Sequence, residues 1–260
     1  MIAGARRAVF SALVLTLGAG ACRMQSLRSP TAVRLPVESE VTFVESDGHR
    51  IRVDVYQPNR AGRHPAVILL HGSGGIHAIS PSLVNRYAEV LAERGIICFV
   101  VHYFDGTGDF TAGDSVESAN YFHWVRELHD AVTWVRARSD VRQNQIGLMG
   151  HSLGAWLAVG AAAADARVAR IVLLGSGLEP FLADSIKRMP PTLMFHGDKD
   201  DVVPLSDADH LAAFLRAHRF SVQYKVYAGE GHQFADSAAT DMLERAVRFL
   251  APDLKRAPAR

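Results

Sequence analysis

Gln145-Ile-Gly-Leu-Met-Gly-His-Ser-Leu-Gly-Ala155 joins an apolar, strand-like run to the pattern Gly150-x-Ser152-x-Gly154 and then to the apolar segment Leu153–Ala164. The order predicts a strand, a sharp turn and a helix, with Ser152 on the turn. Two glycines flank the serine because a chain reversing this tightly leaves no room for side chains at those positions. A serine so held projects its hydroxyl above a sheet, beside a helix N-terminus that favours developing negative charge. The plainer reading is that Ser152 only caps the helix.

On both sides of this segment apolar strands alternate with amphipathic helices. Val41–Ser46 and Ile51–Tyr56 alternate with period two around Asp47-Gly48, predicting a hairpin. Ala66–Leu70, Ile96–Val101, Val168–Leu174, Pro191–His196 and Val222–Tyr227 read as strands. Segments 81–94, 118–139, 153–164, 207–218 and 235–250 read as helices. The expected fold is α/β: a mostly parallel, doubly wound sheet with an N-terminal antiparallel hairpin. The longest gaps, near 104–117 and 176–189, are too short for a large cap domain.

A serine hydroxyl needs a base, and the base needs an orienting carboxylate. An open α/β sheet supplies both from loops at the carboxyl ends of strands. Gly197-Asp-Lys-Asp-Asp-Val-Val-Pro204 follows one strand and Ala228-Gly-Glu-Gly-His232 follows the last. With His71-Gly-Ser-Gly-Gly75 and Gly150-His-Ser-Leu-Gly154, these loops make the chain resemble the α/β-hydrolase superfamily, in its dienelactone-hydrolase-like branch, over about Val41–Leu250. The resemblance implies an α/β-hydrolase fold, Ser152 as nucleophile, Asp200 as acid and His232 as base. Asp198 and Asp201 are rivals to Asp200 in the same loop. His71, His151 and His196 lie near strand ends and are expected to pack or hydrogen-bond. In the dienelactone hydrolases the nucleophile is a cysteine, so Ser152 argues against dienelactone as substrate and leaves ester or lactone hydrolysis.

Acyl transfer also needs N–H donors for the oxyanion. The expected donors are Leu153 and Ser73, with Gly74 as alternative. Tyr103, Phe104 and Trp156 are expected to line a substrate pocket, ordinary core aromatics being the competing reading. No H-E-x-x-H helix and no dinucleotide fingerprint appear, so neither metal nor cofactor is expected.

Arg6, Arg7, the apolar run Ala8–Gly20 and Ala19-Gly20-Ala21 read as an export signal over residues 1–21, before Cys22. Cys22 resembles a bacterial lipoprotein site, with Ala19 where leucine is usual. Cleavage with a free thiol, lipidation at Cys22 and an uncleaved anchor remain open, each placing the protein in a bacterial envelope, periplasmic or membrane-anchored. Residues 22–38 read as a tether, 39–252 as the catalytic domain and 253–260 as a flexible tail. Cys98 lies in an apolar strand and reads as core.

The 260 residues carry 28 Lys+Arg against 27 Asp+Glu, and removal of residues 1–21 leaves 26 against 27. So even a balance gives no reason to expect nucleic acid as partner. The sequence reads as an exported serine hydrolase acting on small-molecule esters or lactones, with oligomeric state open. The alternatives are a prolyl-oligopeptidase-like peptidase and a non-catalytic envelope binding protein.

Overall fold

The structure, a computed structural model, describes residues 37–76 and 83–254. The expected export signal, Cys22 and most of the tether lie outside the described residues, as do residues 77–82 and 255–260. The elements in chain order are β1 (Val37–Ser46), β2 (His49–Tyr56), β3 (His64–Leu70), α1 (Leu83–Glu93), β4 (Ile97–Val101), α2 (Asp114–Ala137), β5 (Val141–His151), α3 (Leu153–Ala164), β6 (Arg170–Leu174), β7 (Thr192–Gly197), α4 (Leu205–Ala217), β8 (Val222–Tyr227) and α5 (Asp236–Leu250). The strands form one eight-stranded sheet in the order β1-β2-β4-β3-β5-β6-β7-β8.

The hairpin forms as its turn chemistry dictates. Asp47 (φ 50°) and Gly48 (φ 84°) both take left-handed conformations, and Ser46 pairs with His49 across the turn. β2 runs antiparallel to β4, and every pair from β4 through β3, β5, β6 and β7 to β8 is parallel. β3 and β4 are buried throughout, as strands covered on both faces require. The two faces carry separate cores. One, under α2, α3 and α4, contains Phe99, Trp124, Leu148 and Leu157; the other, under α1 and α5, contains Leu69, Val100, Met149 and Phe195.

Boundaries differ from the sequence expectation where a neighbour extends an element. β5 begins at Val141 because its first residue pairs with His64 of β3. α2 begins at Asp114, four residues early, behind the extended Gly113, with Asp114 and Glu117 complementing its dipole. α4 begins at Leu205, directly after Pro204. Asp253 accepts a hydrogen bond from Gln145 (2.8 Å), and Leu254 packs on the α1/α5 core. Cys98 is fully buried, and burial raises its thiol pKa well above the ordinary value, which leaves it an apolar core side chain.

Candidate active site

β5 delivers the chain to Ser152, whose φ of 54° and ψ of −127° are strained for a residue with a side chain. The strain persists because its surroundings impose it. The Ser152 N–H donates to the Leu174 carbonyl (2.9 Å), and the Ser152 carbonyl accepts from Ala155 and Trp156. A Cβ on Gly154 would stand 2.5 Å from the Leu70 and His71 carbonyl oxygens, and one on Gly150 would collide with the Gly154 backbone. The spacing of the motif thus follows from close approach of backbone to backbone. The Ser152 side chain makes no capping hydrogen bond, so helix capping does not account for it.

The loops after β7 and β8 meet beside this turn. His232 Nδ1 donates to Asp200 Oδ2 at 2.8 Å. Asp200 Oδ1 accepts the Val202 and Val203 N–H groups at 3.0 and 2.8 Å. Burial opposes ionisation of Asp200, but the bonds from His232 and the two amides prevail and hold its carboxyl below the usual range. The rival acids have other work. Asp198 Oδ1 accepts the Gly229 N–H (2.7 Å), tying the β7 loop to the β8 loop, and Asp201 is exposed.

Of the three histidines near strand ends, His196 and His151 brace this arrangement and His71 packs beside it. His196 Nε2–H donates to the Val203 carbonyl (2.9 Å) and lies 3.4 Å from Asp200 Oδ2. His151 Nε2–H donates to the His232 carbonyl (3.0 Å), with the two rings 4.6 Å apart. Burial, and then the neighbouring His232, push the His151 pKa down to about 4, so it stays neutral at working pH. The His71 ring stacks on Tyr103 at 4.0 Å, and the Tyr103 hydroxyl donates to the His71 carbonyl (2.7 Å).

Ser152 and His232 line one cavity of about 210 Å³ together with His71, Ser73, Gly74 and His151. Ile76, Leu83, Val84 and Val202 supply its apolar wall. Ser152 Oγ makes no hydrogen bond among the described residues. The Ser73 carbonyl is held by the Ala112 N–H (2.8 Å), and Gly75 closes a turn onto Gly72 (3.0 Å). The Ser73 and Gly74 N–H groups make no hydrogen bond among the described residues. Leu153 is not part of the cavity wall, but its N–H belongs to the first turn of α3, where amides lack helical partners.

The expected aromatic pocket is corrected. Among the described residues, Tyr103, Phe104 and Trp156 do not line the cavity. Tyr103 and Phe104 are buried beneath His71, and Trp156 packs over Gly177 after β6. The real wall comes from Ile76, Leu83 and Val84, at the start of α1 and just before it, and from Val202 beside Asp200. The sequence signal available was the apolar pair Leu83-Val84 following the glycine loop, although both also suit a helix facing the core. Among the described residues no cluster of three or more His, Cys, Asp or Glu is arranged to hold a metal.

A sheet of this order, with its site at the carboxyl ends of the parallel strands, is that of an α/β hydrolase. Residues 51–250 match the dienelactone hydrolase family, and the chain belongs to that family. The polyketide transferase grgF of Penicillium sp is 31% identical over 55% of this chain and 46% of its own length. A Bradyrhizobium sp protein named "Probable 2-oxo-3-(5-oxofuran-2-ylidene)propanoate lactonase" is 26% identical over 68% of this chain and 76% of its own. Dipeptidyl aminopeptidase BIII of Pseudoxanthomonas mexicana is 26% identical over 66% of this chain and 30% of its own. The chain thus spans less than half of the transferase and of the aminopeptidase. Among solved structures, a dienelactone hydrolase-like promiscuous phosphotriesterase from metagenomic libraries superposes with a TM-score of 0.69 at 16% identity, covering 84% of this chain and 98% of that one. That likeness establishes the fold, and fold alone does not choose a substrate.

Proposed function

We propose that this chain is an exported serine hydrolase that cleaves small carboxylic esters or lactones through an acyl-enzyme. Ser152 Oγ attacks the acyl carbon while His232 Nε2 takes its proton. Asp200 holds His232 by Nδ1–H and stabilises the imidazolium. The N–H groups of Leu153 and Ser73 receive the oxyanion, with Gly74 as the alternative donor. His232 then protonates the leaving alcohol, and water activated by the same imidazole releases the acid. On this reading His232 Nε2 comes within hydrogen-bond reach of Ser152 Oγ as the substrate binds. The observation that carries this reading is the 2.8 Å His232–Asp200 bond on the wall of the cavity that holds the strained Ser152.

A cavity of about 210 Å³ is smaller than the ~300–1,000 Å³ usual for drug-sized ligands, which favours short acyl groups. A relative named as a probable lactonase, covered over 76% of its own length, supports the lactone arm of this reading. The aminopeptidase relative keeps peptide amides in the test. Purified protein is assayed on p-nitrophenyl esters of increasing length, lactones and peptide amides, and labelled with a fluorophosphonate. Short esters or lactones are expected to turn over fastest, and Ser152→Ala is expected to abolish turnover and labelling while the fold is retained. Turnover surviving in Ser152→Ala would refute the assignment. Export, with cleavage or lipidation at Cys22, belongs to the same proposal; intact mass of the mature protein from an expressing bacterium tests it.

A further inference from the structure

The near-zero net charge conceals a strong separation of charge along the strands. Each helix returns antiparallel to the parallel strands, so helix N-termini gather at the active-site end and C-termini at the other. Acids open α2, α4 and α5 (Asp114, Glu117, Asp207, Asp236), whereas Arg136, Arg216 and Arg248 lie in their last turns. Loops deepen the contrast. Asp109, Glu179, Asp198, Asp201 and Glu230 stand at the carboxyl ends of the strands, while Arg60, Arg63, Arg170 and Arg219 precede or open β3, β6 and β8. Among the described residues, Arg60, Arg63, Arg170 and Arg219 form no ion pair. Some basic charge at this end is neutralised: Arg138 pairs with Asp140, Arg167 with Asp165, and Arg248 lies 3.6 Å from Glu244. A basic excess remains.

Two further observations concern the same end. A cavity of about 560 Å³ opens there, lined by Arg170, Lys225, Arg245 and Arg248 together with Leu193, Tyr224 and Phe249. Asp241 offsets Lys225 and Arg245 (2.8 Å each) and Glu244 lies beside Arg248, leaving Arg170 as the cavity's unpaired cation among the described residues. The chain also enters the fold from this side. Val37 pairs with Tyr56 and Tyr56 with Cys98 near the start of β4, so β1 begins level with the amino ends of the parallel strands. Upstream lie Cys22 and the apolar run Ala8–Gly20. The fifteen residues 22–36 reach at most about 50 Å.

We propose that this basic end is a docking surface for an anionic phospholipid bilayer, which holds the active-site end toward solvent. The occupant follows from charge complementarity and, resting on the proposed export reading, from an apolar segment ending at Cys22 that joins the domain at the docking end. Cationic side chains beside apolar ones suit a lipid headgroup and the first carbons of its chains. Repulsion between bilayer and the acidic opposite end gives the same orientation. The surface works independently of the hydrolase assignment, because no residue of it touches the Ser152 cavity.

The test uses the full chain carrying Cys22→Ser, so that no lipid is attached. It is sedimented with vesicles of phosphatidylcholine alone and of phosphatidylcholine mixed with phosphatidylglycerol. Each basic side chain at an anionic surface strengthens partitioning about fivefold. At least about tenfold preference for the anionic vesicles is expected, disappearing at high salt. Joint replacement of Arg63, Arg170, Arg219 and Arg248 by Glu is expected to erase the preference, with circular dichroism as the folding control. If that protein fails to fold, the corresponding Gln replacements serve. Equal partition of the unaltered surface into both vesicles overturns the proposal. So does a preference that survives the four replacements, which would assign it to arginines of the N-terminal segment. Retention on heparin without vesicle preference also overturns it.

Discussion

Replacing Asp200 with Asn changes almost nothing in volume, yet the structure predicts a large kinetic effect. Asp200 Oδ1 accepts two backbone amides, from Val202 and Val203, and Oδ2 accepts His232 Nδ1–H. An asparagine has only one acceptor oxygen. The two amides claim it, since leaving two N–H donors facing an NH2 group would cost about 1–3 kcal/mol each. The new NH2 group must then face His232 Nδ1, where a donor meets a donor. The imidazole relieves this by moving its proton to Nε2, the atom that has to receive the Ser152 proton. The wrong tautomer at such a base lowers kcat by about 10⁴, or roughly 5.5 kcal/mol of barrier. Asp200 does not line the cavity, so KM should change little. Steady-state kinetics on the best p-nitrophenyl ester, beside a thermal melt to show that the fold survives, measure both numbers. A folded Asp200→Asn protein whose kcat stays within about tenfold of the original would refute the orienting role and the tautomer argument with it.

Gly154→Ala should lower stability by about 1–3 kcal/mol or prevent folding, because the added methyl meets the Leu70 and His71 carbonyls, and neither backbone can yield; urea unfolding measures it. Cys98→Ala should leave ester turnover and fluorophosphonate labelling intact and cost about 1 kcal/mol of packing, and thiol alkylation of the folded protein should not inactivate it. Glu127 is fully buried beside His123 and Gly106, and burial, then Asp105, Asp130 and Asp47, push its pKa from 4.5 to about 9. The folded state therefore holds a proton that the unfolded state has released between those pH values, so stability falls as pH rises across that window. Glu127→Gln should flatten the decline and stabilise the protein at neutral pH by about 1–3 kcal/mol, read from denaturant curves at several pH values.

Much of the site could be read from the chain because its determinants are local. Gly150 and Gly154 bracket a turn whose crowding is set by residues within a few positions and by the strand just behind them. Asp47-Gly48 specifies its hairpin turn through two left-handed conformations. Continuous apolar runs such as Ala66–Leu70 announce strands covered on both faces. Direction was harder. Tyr103 and Phe104 follow a strand and lead toward the site, but their rings turn under His71 because Trp124 of α2 and the His71 carbonyl await them there. Nothing within a few residues of Tyr103 encodes that partner. Leu83 and Val84 carry the same apolar signal as a core helix and differ only in what the fold sets opposite them.

Sequence alone determined which kinds of residue the chain possesses, the order of strands and helices, and the sharp turn that strains Ser152, since these depend on backbone sterics and short-range periodicity. Only the folded chain decided which carboxylate of the Asp198, Asp200 and Asp201 cluster meets His232. That pairing joins loops 32 residues apart, brought together by adjacent strands β7 and β8. It also decided where the charges lie. A balance of 28 against 27 says nothing about separation. The antiparallel return of α2, α4 and α5 carries their opening acids to one end and their closing arginines to the other, and that vector exists only in three dimensions.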